Sequence, residues 1–305
     1  PAIPYREAIP AFLTALEVNL HAKAIELRIR VRSPFASGLR LWSCMIDLVR
    51  VSGFGSNDSI ESPDIFIRNH FLDQLKMFSS IIKAKELGKL MQSKTPVYLL
   101  DTTYGLPNAK EEHFKLRIPG AKFFELDEVA DKESPFAHDL PSTPTFVDYM
   151  KQLRIKNDGN LLVCYDQTGL LAEPRVWYTF KVFGRQNVAV LDGGLPKWLE
   201  ENLPTESGKY ELYQNPSSEK DQDYQYQLDP NGVVYIQEID KIVSKKPTGT
   251  QMLDARPESQ FSGEQSQATG HIPGAINSFF RNILNEDSTF KSAEEIKSVL
   301  ESKGV

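Results

Sequence analysis

Residues 161–194, LLVCYDQTGLLAEPRVWYTFKVFGRQNVAVLDGG, admit few folds. Leu161–Tyr165 is a short apolar run with no helical period, which predicts a buried strand. Residues 166–169 are polar and end in glycine, so a tight turn follows. From Glu173 onward, Val176, Trp177, Phe180 and Phe183 recur at helical spacing. Gly184 stands where a helix end favours a residue free to take positive φ. Residues 187–191 form a second apolar run, closed by Asp192, Gly193 and Gly194. Two strands joined through a helix lie parallel, and a parallel sheet needs both faces covered. The expected class is therefore α/β.

The turn between strand and helix carries the chemical signal. Successive backbone N–H groups there converge on the side chain at its first position, and the helix dipole adds a positive field. A cysteine in that place would have a lowered pKa and act as a strong nucleophile. Asp166 occupies it instead, an anion with no sulfur to offer.

An internal repeat sets the organisation. A helix-like stretch at 81–90 precedes an apolar run at 97–100 and Asp101. A second helix-like stretch at 234–243 precedes 251–253 and Asp254. Arg117-Ile118-Pro119-Gly120-Ala121 then matches His271-Ile272-Pro273-Gly274-Ala275, at the same spacing from the two aspartates to within one residue. The Pro-Gly pair forces a turn before another short strand. Residues 206–232, rich in Ser, Gln, Asp and Tyr, read as a linker. Lys151 to Ile155 precede the turn at Asp166, and residues 301–305 occupy the matching helix end. The second copy of the turn is therefore expected past Val305.

The run RVWYTFKVFG…VAVLDGGLPKW strongly resembles the first domain of two-domain rhodanese-type sulfurtransferases, the thiosulfate and 3-mercaptopyruvate sulfurtransferase family. The resemblance covers roughly residues 77–305. It implies tandem rhodanese-like α/β domains with parallel five-stranded sheets, the second incomplete here. Domain 1 is expected over 77–205, silent because Asp166 fills its loop, and domain 2 over 233–305. The family's working cysteine sits in the second domain's loop, so no catalytic nucleophile is expected within these residues. The resemblance further implies a small-molecule sulfur donor, 3-mercaptopyruvate or thiosulfate, a cysteine persulfide, and a thiol or cyanide acceptor. It implies no metal and no organic cofactor.

The resemblance also carries roles to particular residues. Asp127 and His138 match an Asp and a His of mercaptopyruvate-type members and read either as a candidate proton relay, since a His oriented by a carboxylate suits general base work, or as a surface His near a solvated acid. Tyr104 stands where the family often has Trp, as a pocket wall. Arg256 follows the strand-end Asp254 and reads either as a substrate-pocket residue or as an ion pair with that turn, the second being favoured. Gln260 occupies a position where many members place an anion-gripping Arg, so it can donate hydrogen bonds but brings no charge. Asp101 and Asp254 read as structural acids. Arg117 and Arg185 stand where His is common and are expected to face solvent.

Other function classes fall away on composition. A net charge of −6 argues against a nucleic-acid partner. No apolar run approaches the about 18 residues of a membrane span. Two cysteines, Cys44 and Cys164, make no disulfide framework and suggest a reducing compartment, cytoplasmic or mitochondrial. Cys164 lies in the strand before the turn and is expected to point into the core. Residues 1–76 differ from the rest. Lys23, Arg28, Arg30, Arg32, Arg40 and Arg50 outnumber Glu26 and Asp47, a bias found in mitochondrial transit segments. An unrelated extension is the favoured reading of that segment. Two functions remain open: a sulfurtransferase whose cysteine loop follows Val305, or an inactive rhodanese-like binding or regulatory protein. For residues 1–305 alone, no sulfurtransferase turnover is expected.

Overall fold

The computed structural model describes residues 80–305, apart from 136–137, 211, 213–219, 246–249 and 265–269. The expectations for residues 1–76 and for Cys44 lie outside the described residues.

The first repeat runs β1 (Ile81–Ile82), α1 (Ala84–Gln92), β2 (Val97–Asp101), α2 (Ala109–Lys115), β3 (Lys122–Phe123), α3 (Leu126–Val129), α4 (Thr143–Leu153), β4 (Leu161–Tyr165), α5 (Glu173–Val182), β5 (Val188–Leu191) and α6 (Gly194–Glu200). Its five strands form one sheet in the order β1-β5-β4-β2-β3, with every neighbouring pair parallel. β4 is buried along its whole length, the state an unbroken apolar run predicts. Alternate residues point to opposite faces. Leu162 and Cys164 join the core that holds Phe146 of α4 and Val176 and Phe180 of α5. Leu161, Val163 and Tyr165 join the other, with Leu87 of α1 and Trp198 of α6. The four apolar positions read as helical, Val176, Trp177, Phe180 and Phe183, are all buried. Gly184 takes φ 86° just past that helix.

Three expectations change. Ile81 and Ile82 do not begin a helix. They pair with Val190 and Leu191 as an edge strand, and the helix starts only at Ala84. Two adjacent β-branched residues favour a strand place when a sheet edge is available. Arg117 and Arg185 do not face solvent, being 3% and 1% exposed. Arg117 bonds the Gly208 carbonyl at 2.7 Å, pairs with Glu206 and lies over the Tyr210 ring. Arg185 donates to the carbonyls of Lys156, Asn160 and Asn187 and to Tyr226 Oη. A guanidinium can be buried when its fork of donors is occupied by acceptors. Those acceptors come largely from loops and from residues after 205, which periodicity does not reveal.

The second repeat runs α7 (Ile236–Lys245), β6 (Leu253–Asp254), α8 (Glu258–Phe261), β7 (Ile276–Asn277) and α9 (Ala293–Ser302). β6 and β7 pair in parallel, as β2 and β3 do. Both Ile-Pro-Gly-Ala segments close turns, Ala121 N to Ile118 O at 3.0 Å and Ala275 N to Ile272 O at 2.9 Å. Ser142 caps α4 and Ser292 caps α9, the latter in a full capping box with Glu295. The helices end alike. Ile155 N reaches Met150 O at 2.9 Å, and Val305 N reaches Leu300 O at 3.1 Å. Ile283, Leu284, Ile296 and Leu300 of the second repeat join the core of the first repeat's α4–α5 face.

Candidate active site

The strand order places the turn after β4 beside the end of β2. The chain leaves β2 toward β3 on one side and β4 toward β5 on the other, and ligands in open parallel sheets gather at such a switch point. Gln167 ties the two strand ends together. Its amide N donates to Thr103 Oγ1 at 2.9 Å and its side chain to Asp101 Oδ2 at 2.8 Å. Asp101 also accepts from Thr103 Oγ1 at 2.5 Å and lies 2.9 Å from His113 Nδ1, with both side chains fully buried. Asp101 is thus the structural acid expected of it. Asp254 behaves likewise, bound by Arg256 Nε at 2.9 Å and Nη2 at 2.5 Å.

At the head of the turn, Asp166 Oδ1 accepts from Thr168 N at 2.7 Å and Thr168 Oγ1 at 2.6 Å. The converging donors are present, yet burial pushes this carboxyl up, while Thr168 and the Ala172 backbone pull the other way. Desolvation outweighs the cradle because the side chain has no water contact. Glu173, at the start of α5, is pushed up further by its own burial and then by the Asp166 charge. Cys164 is fully buried, and burial pushes its thiol up as well. A thiol in that setting is neither ionised nor reachable.

A second group gathers around His138, on the segment between α3 and α4, with Asp127 of α3 and Tyr104 from the loop after β2. His138 Nδ1 lies 2.7 Å from Asp127 Oδ1, and Nε2 lies 3.0 Å from Tyr104 Oη. Tyr104 and His138 meet edge to face with centroids 4.9 Å apart. His138 holds φ 58°, and Arg175 of α5 fastens its carbonyl at 2.6 Å. Backbone in that region costs free energy for a residue with a side chain and is kept where the surroundings over-determine it. Beside the group opens a cleft of ≈ 280 Å³ lined by Tyr104, Leu106, Asn108, Lys110, Glu125 and Asp127, among others. Tyr104, Asp127 and His138 are thus brought together, with Tyr104 both a cleft wall and a partner of the histidine. Arg256 and Gln260 belong to the second repeat, Arg256 bound to Asp254 and to the Gly270 carbonyl at 2.8 Å, Gln260 on α8.

The two repeats lie in one compact unit, and the second reaches the turn of the first. Residues Leu284 and Phe290 bridge in antiparallel fashion to form a hairpin, and a Cβ on Gly169 would lie 2.7 Å from Ser288 Cβ. Counting back from the matched caps Ser292 and Ser142, Ser288 is the counterpart of His138. Both take left-handed backbone, φ 63° and φ 58°. Sequence reasoning missed Gln167, Glu173, Arg175 and Ser288. Glu173 and Arg175 looked like ordinary helix residues, and Ser288 is visible only through the cap-to-cap alignment of the repeats.

Among the described residues no group of three or more His, Cys, Asp or Glu is arranged to hold a metal ion, and no helix is long and apolar enough to cross a membrane. Residues 83–201 match the family described as Rhodanese-like domain. The chain is 34% identical to 3-mercaptopyruvate sulfurtransferase of Mus musculus, over 75% of this chain and 79% of that protein. It is 33% identical to thiosulfate sulfurtransferase of Gallus gallus, over 75% of this chain and 77% of that protein. Among solved structures it is similar to the 3-mercaptopyruvate sulfotransferase SseA from Escherichia coli, with TM-score 0.65 and 28% identity, over 74% of this chain and 84% of that one.

Proposed function

The chain belongs to the rhodanese-type 3-mercaptopyruvate and thiosulfate sulfurtransferase family, and from that premise we propose that it serves transfer of sulfur from a small thiol donor of the 3-mercaptopyruvate type to a thiol acceptor. The nucleophile in this reading is a cysteine of the second repeat's own loop, the counterpart of the turn at Asp166, since Asp166 offers no sulfur and Cys164 is buried. Its thiolate attacks the donor's outer sulfur, and the donor's carbon–sulfur bond breaks. The electrons of that bond leave on carbon as an enolate, which must take up a proton. The persulfide then passes its outer sulfur to the acceptor thiol.

The His138 group is the observation that carries this reading. Asp127 lies against one ring nitrogen and Tyr104 braces the other, and an imidazole placed in this way can give or take the required proton. The correspondence with Ser288 supports the direction in which the group works. Ser288 reaches the first repeat's turn, so its counterpart His138 is assigned to the second repeat's turn. Thiosulfate offers no carbon to protonate, because its leaving group is sulfite, and so makes no demand on the histidine.

Parallel assays on the full-length protein test the assignment. One follows sulfide release from 3-mercaptopyruvate with a thiol acceptor, the other thiocyanate from thiosulfate and cyanide. His138→Asn is expected to lower the first rate by about 10²–10⁴-fold and the second far less, while Cys164→Ser leaves both unchanged. An equal loss on both donors removes the proton role from His138. No turnover of either donor by the wild-type protein supports the inactive, binding-only reading instead.

A further inference from the structure

We propose that the inactive turn of the first repeat is the socket that seats the second repeat, and that Asp192, Lys197 and Asp287 are positioning residues for sulfur transfer. The inference rests on the role given to His138 above. Its evidence is separate, being the contacts of a hairpin that does not include that histidine.

The hairpin closed by Leu284 and Phe290 sits over the carboxyl ends of β4 and β5, the edge where a ligand would enter the first repeat's turn. Phe290 N donates to Asp192 Oδ1 at 2.8 Å, between residues far apart in the chain. Lys197 Nζ lies 2.7 Å from Asp287 Oδ2. Asp287 is itself held by Thr289, whose Oγ1 and N donate to Oδ1 at 2.7 and 3.1 Å. Two glycines leave room for the hairpin's side chains. A Cβ on Gly169 would fall 2.7 Å from Ser288 Cβ, and one on Gly193 would fall 3.0 Å from Thr289 Cγ2. The contact therefore joins a charge-assisted hydrogen bond, an ion pair and close packing within one short hairpin.

Lys197–Asp287 is partly exposed, 24% and 48% by side chain, and such a pair adds little to global stability. Its use is geometric. The hairpin fixes the angle between the repeats, and that angle decides where His138 meets the second repeat's turn. A reacting group misplaced by about 1 Å can lose about 10²-fold in rate. The first repeat thus keeps a catalytic-loop geometry while giving its mouth to the hairpin.

Steady-state kinetics with 3-mercaptopyruvate and amide hydrogen exchange on the full-length protein decide the matter. Lys197→Ala and Asp287→Asn should each lower kcat roughly tenfold with KM for the donor unchanged, and Lys197→Arg, which keeps the ion pair, should lose little. In a His138→Asn background neither substitution should cost anything further, because both act through that histidine. Asp192→Ala should strip exchange protection from the Phe290 amide. The proposal is overturned by unchanged kcat in Lys197→Ala, by losses that multiply onto His138→Asn, or by a Phe290 amide still protected in Asp192→Ala. If the wild-type protein turns over neither donor, the sulfurtransferase reading has failed, and exchange at Phe290 alone then tests the socket.

Discussion

Glu173 is a carboxyl whose charge state the fold constrains. It is fully buried at the first turn of α5, with Leu171 N on its Oε2 at 2.9 Å. Burial and then Asp166 raise its pKa well above the ordinary carboxylate range. The folded protein therefore holds this proton at pH values where the unfolded chain, titrating near pH 4.3, has released it. With more protons bound in the folded state, stability falls as pH rises above that value and on through the folded pKa. Glu173→Gln keeps the shape and removes the titration. Thermal unfolding followed from pH 4 to pH 9 should show a steeper decline for wild type than for the variant. Identical slopes would mean that Glu173 is ionised in the fold or has no part in the pH response.

At the scale of elements, the paired Ile-Pro-Gly-Ala turns show how a four-residue motif directs a strand. Proline pre-sets the second position, and the third needs positive φ, which Gly120 and Gly274 take at 80° and 86°. A Cβ on Gly120 would meet nothing within 4 Å. The cost of Gly120→Ala is therefore the backbone term alone, about 1–2 kcal/mol. Urea unfolding should show that loss with an unchanged denaturant slope. A loss above about 4 kcal/mol would point to a packing contribution around the turn as well.

At the scale of the whole molecule, residues after 205 act as a strap on the first repeat. Tyr224 and Tyr226 are buried in its core, and Tyr226 stands edge to face with Phe146 at 5.2 Å. Asp221 and Asp223 pair with Lys151 and Lys156 at 2.5 and 2.8 Å. Asp229 N bonds Val182 O at 2.7 Å. A linker of this composition invites the expectation of a protease cut after Gly208 that leaves residues 80–205. The strap argues for a resistant fragment that includes residues 220–232. Tyr226→Ala should cost about 3–5 kcal/mol, as other large buried aromatic truncations do. A fragment of residues 80–205 that unfolds at the same temperature as one of residues 80–232 would show that the strap contributes nothing.

The central strands and the helix from Glu173, the repeat itself and the place of the turn were legible in the sequence because each rests on local chemistry. Strand and helix periods and the Pro-Gly turn all act within about a dozen residues. The lack of sulfur at Asp166 and the burial of Cys164 follow from the same local reading. Asp127 and His138 could be named only through resemblance, and their approach to Tyr104 was decided by packing. So were the burial of Arg117 and Arg185, the strand place of Ile81 and Ile82, and the seat of Ser288 against Gly169. In each case the partner lies far along the chain. A guanidinium is buried only if distant carbonyls meet its donors, an edge strand forms only if another strand is alongside, and a hairpin seats only where two glycines leave room. Tertiary structure decides these because the energy lies in the contact between segments, and neither segment alone records it.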